Sequence, residues 1–409
     1  MLSLSDAMDL VSPRIASHQQ RTAFIAWEIC KCAKLDENDT EQIFVAALLH
    51  DVGAISPEEK IEIQKFEEEN TWRHCVRGQL FLESVSWLEP AGDIVRHHHT
   101  AWNDWGKERD SKSAFYSQIL YLADNLERLV KRSKYILHQH EALVRKLESM
   151  AGSSIHPDVF QCFKNTAHRE EFWLDLTSPR LYSLLLHYGP YKRLKVDLND
   201  ISNIAYLFRN IIDFRSRYTA THSSGVAACA AAVARIFGFT ETEVEMIKIA
   251  ANFHDIGKLV VPSSILNKKG RLSKNEKEFV KQHAYHTFSI LNTIGGLREI
   301  AEWAAFHHEK LDGSGYPFHH PASRLSTQSR IVSVADMFTA MAEDRPYRRG
   351  MPKKYLLDKL SKLGQENILD SQIVDILIEN YDDILDLVHK EQSITKRYYN
   401  KKFAHLDAD

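Results

Sequence analysis

Histidines recur at the same two intervals in both halves of this chain, and that repetition restricts the fold more than any other feature. His18 and His50 are 32 residues apart, as are His222 and His254; His74 and His98 are 24 apart, as are His283 and His307. The second histidine of each set is followed by aspartate and then, one residue on, by glycine: His50-Asp51-Val52-Gly53 and His254-Asp255-Ile256-Gly257. The fourth is doubled, as His98-His99 and His307-His308, and an apolar run ending in Ala-Asp closes each set at Asp124 and Asp336. The last interval is slightly shorter in the first half, and His97 leaves the choice of pair there open by one residue. Matched intervals with matched residue types imply a duplicated module.

Around the histidines, apolar residues fall three and four positions apart (Ile15, Phe24, Ile25, Ile29; Ile43, Phe44, Ala47, Leu48), and alternating strand patterns are scarce. An all-α fold follows: two tandem helical bundles joined by a helical connector. Pro57 starts a helix, Ala151-Gly152-Ser153-Ser154 and Gly189-Pro190 break two others, and Asp197-Leu198-Asn199-Asp200 caps the next. These punctuation marks divide the 409 residues into a first module at 1–150, a connector at 151–200 and a second module at 201–409.

Composition narrows the function classes. With 44% apolar residues the chain can bury a sizeable core, and a net charge of −3 gives no basic face for a nucleic-acid polymer or an acidic membrane, although a small local basic cluster can still serve an anionic ligand. Five cysteines without a CxxC pair read as reduced thiols of a cytoplasmic protein. The N-terminus lacks a signal-peptide pattern. The longest apolar run, Gly225 to Phe239, contains Arg235 and reads as a buried alanine-rich helix instead of a membrane span.

A single histidine on an apolar helix face is usually a core residue. Seven matched groups in fixed order, His222, His254, Asp255, His283, His307, His308 and Asp336, are better explained as metal ligands. Imidazole with carboxylate suits divalent transition metals such as Fe, Mn or Zn without selecting one. Seven ligands exceed one tetrahedral site and imply two ions, with Asp255 able to bridge them. Such a pair clamps a phosphoryl group and lowers the pKa of a bridging water, which points to phosphoester hydrolysis. No Ser-His-Asp or Cys-His arrangement and no phosphate-binding glycine loop competes with this reading.

The pair His254-Asp255 with its flanking ligands resembles the HD phosphohydrolase superfamily. The segment His307-His308-Glu309-Lys310-Leu311-Asp312-Gly313-Ser314-Gly315-Tyr316-Pro317 is similar to the signature of its HD-GYP branch, as is Arg345-Pro346-Tyr347-Arg348 after Asp336. The resemblance implies an all-helical domain that hydrolyses a 3′,3′-cyclic dinucleotide, cyclic di-GMP or 3′,3′-cGAMP, to the 5′-phosphorylated linear dinucleotide. A hydroxide bridging two metals, Fe or Mn before Zn, Ni or Mg, would attack. It implies catalytic roles for Asp255 and Lys258, the seven metal ligands above, and substrate contacts from Lys258, Asp312, Gly315, Tyr316, Pro317, Arg345 and Arg348. Trinuclear members carry a glutamate four residues before the first histidine; Tyr218 stands there, which favours two metals. Thr339 replaces a usual aspartate and is expected at the lip of the pocket, where base preference is set.

The first module keeps the ligand types as His18, His50, Asp51, His74, His98, His99 and Asp124, but Ala54 replaces the lysine and the Gly-Tyr-Pro loop is missing. Three readings stay open for it: a metal site without phosphate-holding groups, an inactive dimerisation or regulatory copy, or a second phosphohydrolase. A reduced HD module before an HD-GYP module resembles the layout of bacterial 3′,3′-cGAMP phosphodiesterases. A homodimer is one allowed assembly. The competing functions for the whole chain are an HD-type nucleotidase or nucleotide triphosphohydrolase, and a cyclic-dinucleotide receptor that does not turn over.

Overall fold

The computed structural model describes residues 1–9, 16–64, 71–190, 196–215, 221–344, 349–403 and 406. It is 75% helical with no strand among the described residues, as the apolar spacing predicts. Two compact units, Met1–Lys195 and Val196–Asp409, divide the chain.

Each unit is built on the helix that begins with the first histidine of its set. In the second unit this is His222–Phe237, packed against Glu241–Phe253, Thr327–Ala342 and Tyr381–Lys402. Its alanines and Gly225 allow the close approach: a Cβ on Gly225 would lie 2.9 Å from Thr339 Cγ2 and 2.8 Å from Gln392 Nε2. In the first unit, His18–Ala33 packs against Glu37–Leu49, Lys112–Leu129 and Pro157–Ala167. Pro157–Ala167 lies inside the segment expected as a connector. That expectation is corrected, because Pro157–Ala167, Glu170–Leu176 and Leu181–Tyr188 all pack on the first-histidine helix of their own unit. Phe160, Phe163, Phe172 and Trp173 bury their rings there, so the first bundle extends past residue 150 to reach a full core.

Local chemistry sets the helix ends. Thr240 and Glu243 form a reciprocal capping box ahead of Glu241–Phe253, as do Ser273 and Glu276 ahead of Lys274–Asn292. Asp197 and Asp200 do the same for Leu198–Phe214, at the position expected from the sequence. Gly152, at φ +78°, takes a left-handed turn after His140–Glu148, where other residues would be strained.

The His-Asp motifs open short 3₁₀ turns, His50–Gly53 in the first unit and Ile256–Val260 just after the pair in the second, each pressed against the helix that bears the third histidine. A Cβ on Gly53 would fall 1.9 Å from the carbonyl oxygen of His74, and one on Gly257 falls 1.9 Å from that of His283. Only glycine permits this approach, which brings the second and third histidines of each set together.

Candidate metal centres

Helix termini orient the imidazoles. The last carbonyls of a helix have no partner within it, and His254 Nδ1–H donates to Ala251 O at 2.7 Å while His307 Nδ1–H donates to Ala304 O at 2.7 Å. Inside Lys274–Asn292, His283 Nδ1–H donates likewise to Val280 O at 2.6 Å. With the Nδ1 protons committed, the neutral rings of His283 and His307 each turn a lone pair inward on Nε2. His283 Nε2 and His307 Nε2 then face each other at 3.2 Å, two acceptors with no proton between them. Two nitrogens on one metal ion, each about 2.0–2.1 Å from it, lie about 3–3.4 Å apart. The observed separation fits a shared ion.

Asp255 lies between two groups of ligands. Its Oδ2 is 3.2 Å from His254 Nε2 and also meets Lys258 Nζ, while its Oδ1 is 3.5 Å from His283 Nε2. Asp336 closes the ring, with Oδ1 3.0 Å from His222 Nε2 and Oδ2 3.9 Å from His308 Nδ1. All seven expected ligands of the second unit are therefore brought together. Ligand atoms of His283, His307 and His308, and separately those of His222, His254 and Asp255, lie within 4.8 Å of one another.

The electrostatics suit cation binding. Burial drives His283 down to about 3 and holds His307 and His308 below the usual histidine range, so all three offer lone pairs at neutral pH. Burial also pulls on His222, but hydrogen bonds to Asp336 and Glu343 outweigh it and raise the ring to about 10. Burial opposes ionisation of Asp255, yet His254 and Lys258 keep its carboxyl well below the ordinary value. His222 thus carries a proton where a bound metal would supply positive charge.

The first unit repeats this geometry. His50 and His98 donate Nδ1–H to Ala47 O and Val95 O at 2.8 and 2.6 Å, and the Nε2 atoms of His74 and His98 face each other at 3.3 Å. Asp51 divides its oxygens in the same way: Oδ2 lies 3.7 and 3.6 Å from His18 and His50, Oδ1 lies 3.8 and 4.0 Å from His74 and His98. Asp124 completes the set at 3.4 Å from His18 Nε2 and 3.9 Å from His99 Nδ1. His98-His99 is therefore the pair in use; His97 instead packs beside Trp105. Asp51 Oδ1 and His99 Nε2 are buried without a hydrogen-bond partner, a state that a metal ion relieves.

Several residues that build the centres had no marker in the ligand spacing. Glu343 and Glu127 each accept from Nδ1 of the first histidine, at 3.2 Å to His222 and 2.5 Å to His18. A carboxylate there fixes which nitrogen faces the ion. Behind each first histidine lies a buried aspartate nine residues upstream, Asp9 and Asp213, bonded by the next residue along, Gln19 and Ser223. The nine-residue interval was present in the sequence. Arg215 donates to the carbonyls of Lys258 and Val261, and Thr287 Oγ1 donates to His254 O at 2.9 Å, pinning the turn that carries Lys258.

The Gly-Tyr-Pro loop folds back on the histidine pair. Gly315 lies so close to Glu309 that a Cβ would fall 2.4 Å from its Cα, and buried Glu309 accepts from Phe318 N and His320 N at 2.7 and 3.1 Å. Tyr316 packs its ring 4.8 Å from His308, with Lys281 Nζ 5.3 Å from the ring centre. Burial, with Asp336 and Asp255 adding to it, keeps its hydroxyl protonated. Pro317 is half-buried beside it. Asp312 is exposed and caps Ser314 N–H at 2.9 Å, so here it shapes the turn. Thr339, expected at the pocket lip, is buried against Gly225 in the helix packing instead. Arg345, Arg348 and Tyr218 lie outside the described residues.

Comparison with known proteins accords with the duplication. Residues 15–129 match an HD domain family model, and residues 206–373 match a second HD domain model. An HD domain model thus matches within each of the two units. It is 27% identical over 387 residues, 92% of this chain and 90% of the relative, to the 3′3′-cGAMP-specific phosphodiesterase 1 of Vibrio cholerae. It is 33% identical over 182 residues, 44% of this chain and 49% of the relative, to a cyclic di-GMP phosphodiesterase of Thermotoga maritima. The crystal structure of the V. cholerae cyclic GMP-AMP-specific phosphodiesterase V-cGAP3 shares the fold, with a TM-score of 0.62 at 22% identity over 94% of this chain and 96% of that one. The tandem HD domain places the His-Asp pair of each half at the same point of the bundle, and the helix ends do the rest.

Proposed function

We propose that the second HD domain hydrolyses a 3′,3′-cyclic dinucleotide, cyclic di-GMP or 3′,3′-cGAMP, to its linear 5′-phosphorylated form. The observation that carries the reading is the pair of facing lone pairs at 3.2 Å on His283 and His307 with Asp255 spanning the two ligand groups. Relatives matched along nine-tenths of their length are named as 3′3′-cGAMP phosphodiesterases, which sets the substrate class.

Two divalent transition metals, Fe or Mn in preference to Zn, Ni or Mg, would be held by His222, His254, Asp255, His283, His307, His308 and Asp336, and would supply Lewis acidity and an acidified water. In the reaction, water adds across one P–O3′ bond: its oxygen joins phosphorus and a proton goes to the leaving 3′-oxygen. Lys258, held against Asp255 by their ion pair, puts a cation where charge develops on the scissile phosphate. Tyr316, protonated and beside His308, offers a ring and a hydroxyl to the base or sugar. Arg345 and Arg348 would hold the second phosphate with planar guanidinium forks. The five cysteines form no disulfide and fit a reducing compartment, so we place the protein in the cytoplasm; no described helix is long and apolar enough to cross a membrane.

The test is incubation of Mn- or Fe-loaded protein with cyclic di-GMP, 3′,3′-cGAMP and cyclic di-AMP, followed by chromatography of the products. A 5′-phosphorylated linear product from a guanine-containing substrate is expected. No cleavage of any of the three would rule the proposal out and favour a receptor.

A further inference from the structure

The first unit carries a cavity that its metal centre does not use. It measures about 420 Å³, within the range of small-molecule sites, and its wall includes Arg21, Lys131, Arg132, Lys134 and Tyr135 with no acidic residue among the described ones. The loop that bears these cations is held in shape. Gln139, itself buried, accepts from Lys131 N–H at 2.9 Å and donates to the carbonyls of Lys131 and Lys134, both at 3.0 Å. Both ends of one buried amide are thus used to fix a short basic segment, which a merely solvated charge run does not need.

The charges are unbalanced. Arg21 Nε and Arg132 donate to the same oxygen of Glu127, at 2.7 and 3.1 Å, while its other oxygen accepts from His18. Burial, with the neighbouring Arg21 charge adding to it, lowers Arg132 from its ordinary value, while Glu127 and Asp9 act the other way. Lys131 and Lys134 have no acidic partner among the described residues. Among the described residues these four cations outnumber the carboxylates that act on them, Glu127 and Asp9, and an anion entering the cavity adds a partner. Tyr135, 56% exposed, adds an aromatic surface suited to a base.

We propose that this cavity binds a phosphate-bearing nucleotide, with Lys131, Arg132 and Lys134 on the phosphate and Tyr135 against the base. The site is separate from the hydrolysis proposed for the second domain, and Glu127 links it to His18. Calorimetric titration of the full chain with 5′-GMP, pyrophosphate and guanosine tests it. The double variant Lys131→Ala/Lys134→Ala is expected to weaken both phosphate ligands at least tenfold while cyclic-dinucleotide hydrolysis stays at the wild-type rate. Tyr135→Ala is expected to weaken 5′-GMP several-fold and leave pyrophosphate unchanged. Photocrosslinking with 8-azido-GMP should label the peptide 130–136. Titrations that are identical for wild type and the double variant overturn the site. Pyrophosphate and 5′-GMP of equal affinity, unmoved by Tyr135→Ala, overturn the nucleotide assignment.

Discussion

Asp51 and Asp255 occupy the same point of the same helical frame, each with one oxygen turned to either group of histidines, yet their surroundings differ in charge. Beside Asp255 stands Lys258; the matching position in the first domain is Ala54, a methyl group. Beside Asp124 the first domain places the Arg128 guanidinium, at 3.2 Å and nearly buried, whereas four residues after Asp336 the second has Ala340. The carboxylates behind the first histidines differ as well. Glu343 is held by the neutral Thr221 and Gln392 at 3.2 and 2.8 Å, and Glu127 by Arg21 and Arg132. The fold therefore delivers a ligand cage to both halves, while the placement of cations decides what each cage can do. In the second domain a lysine pairs with Asp255; in the first an arginine pairs with Asp124.

Three experiments probe this contrast, from the largest expected effect to the smallest. Lys258→Ala removes the cation proposed to meet developing phosphate charge and should lower kcat by about 10²–10³ with little change in metal content. An unchanged kcat would mean that the lysine serves only the ion pair with Asp255. Arg128→Ala leaves buried Asp124 with its histidine neighbours but without the guanidinium, and a buried carboxylate in that state takes up another cation. Elemental analysis should show more metal per chain in this variant; unaltered content would show that the guanidinium does not compete with an ion.

The third concerns the buried aspartates Asp9 and Asp213. Burial pushes Asp213 up to about 7 against the Ser223 hydrogen bond and the Arg209 and His222 charges, whereas Asp9 receives both Gln19 bonds and feels His18 and Lys60. Because its folded value exceeds that of the unfolded chain, Asp213 binds a proton in the native state that the unfolded chain releases. Stability from this group is full at low pH and is lost as pH rises through the window from about 4 to 7, by at most about 1.4 kcal/mol per pH unit. Asp213→Asn should remove that slope in denaturant titrations of metal-free protein, and Asp9→Asn should remove less. Parallel pH profiles for wild type and Asp213→Asn would show that the carboxyl is already ionised.

Much of the site was legible because ligand chemistry leaves fixed intervals in a helical chain. The 32- and 24-residue steps, the His-Asp-x-Gly turn and the capping residue Asp197 all correspond to features of the structure. Residues that act by orienting others left weaker traces. Glu127 and Glu343 do the same work from different distances, three and seven residues past the closing aspartate, because one helix runs on to Leu129 and the other ends at Ala342. No common spacing could reveal them. Glu309 works through backbone N–H groups nine and eleven residues away, and Thr339 is turned inward by the packing of Gly225, which periodicity alone does not specify. The connector was misplaced for a similar reason. Glycine and serine at 152–154 end a helix, but a turn does not end a core, and Phe163, Phe172 and Trp173 return to the first bundle.

The most direct test of the central claim is a paired measurement. Asp255→Ala and Asp51→Ala make the same change at equivalent points of the two cages, and both are assayed for metal content and for cyclic-dinucleotide hydrolysis with Mn or Fe. The expected result is loss of hydrolysis in Asp255→Ala to the background level, with Asp51→Ala keeping much of the wild-type rate. Equal loss in both variants, with both still folded, would contradict a division of labour between the two domains.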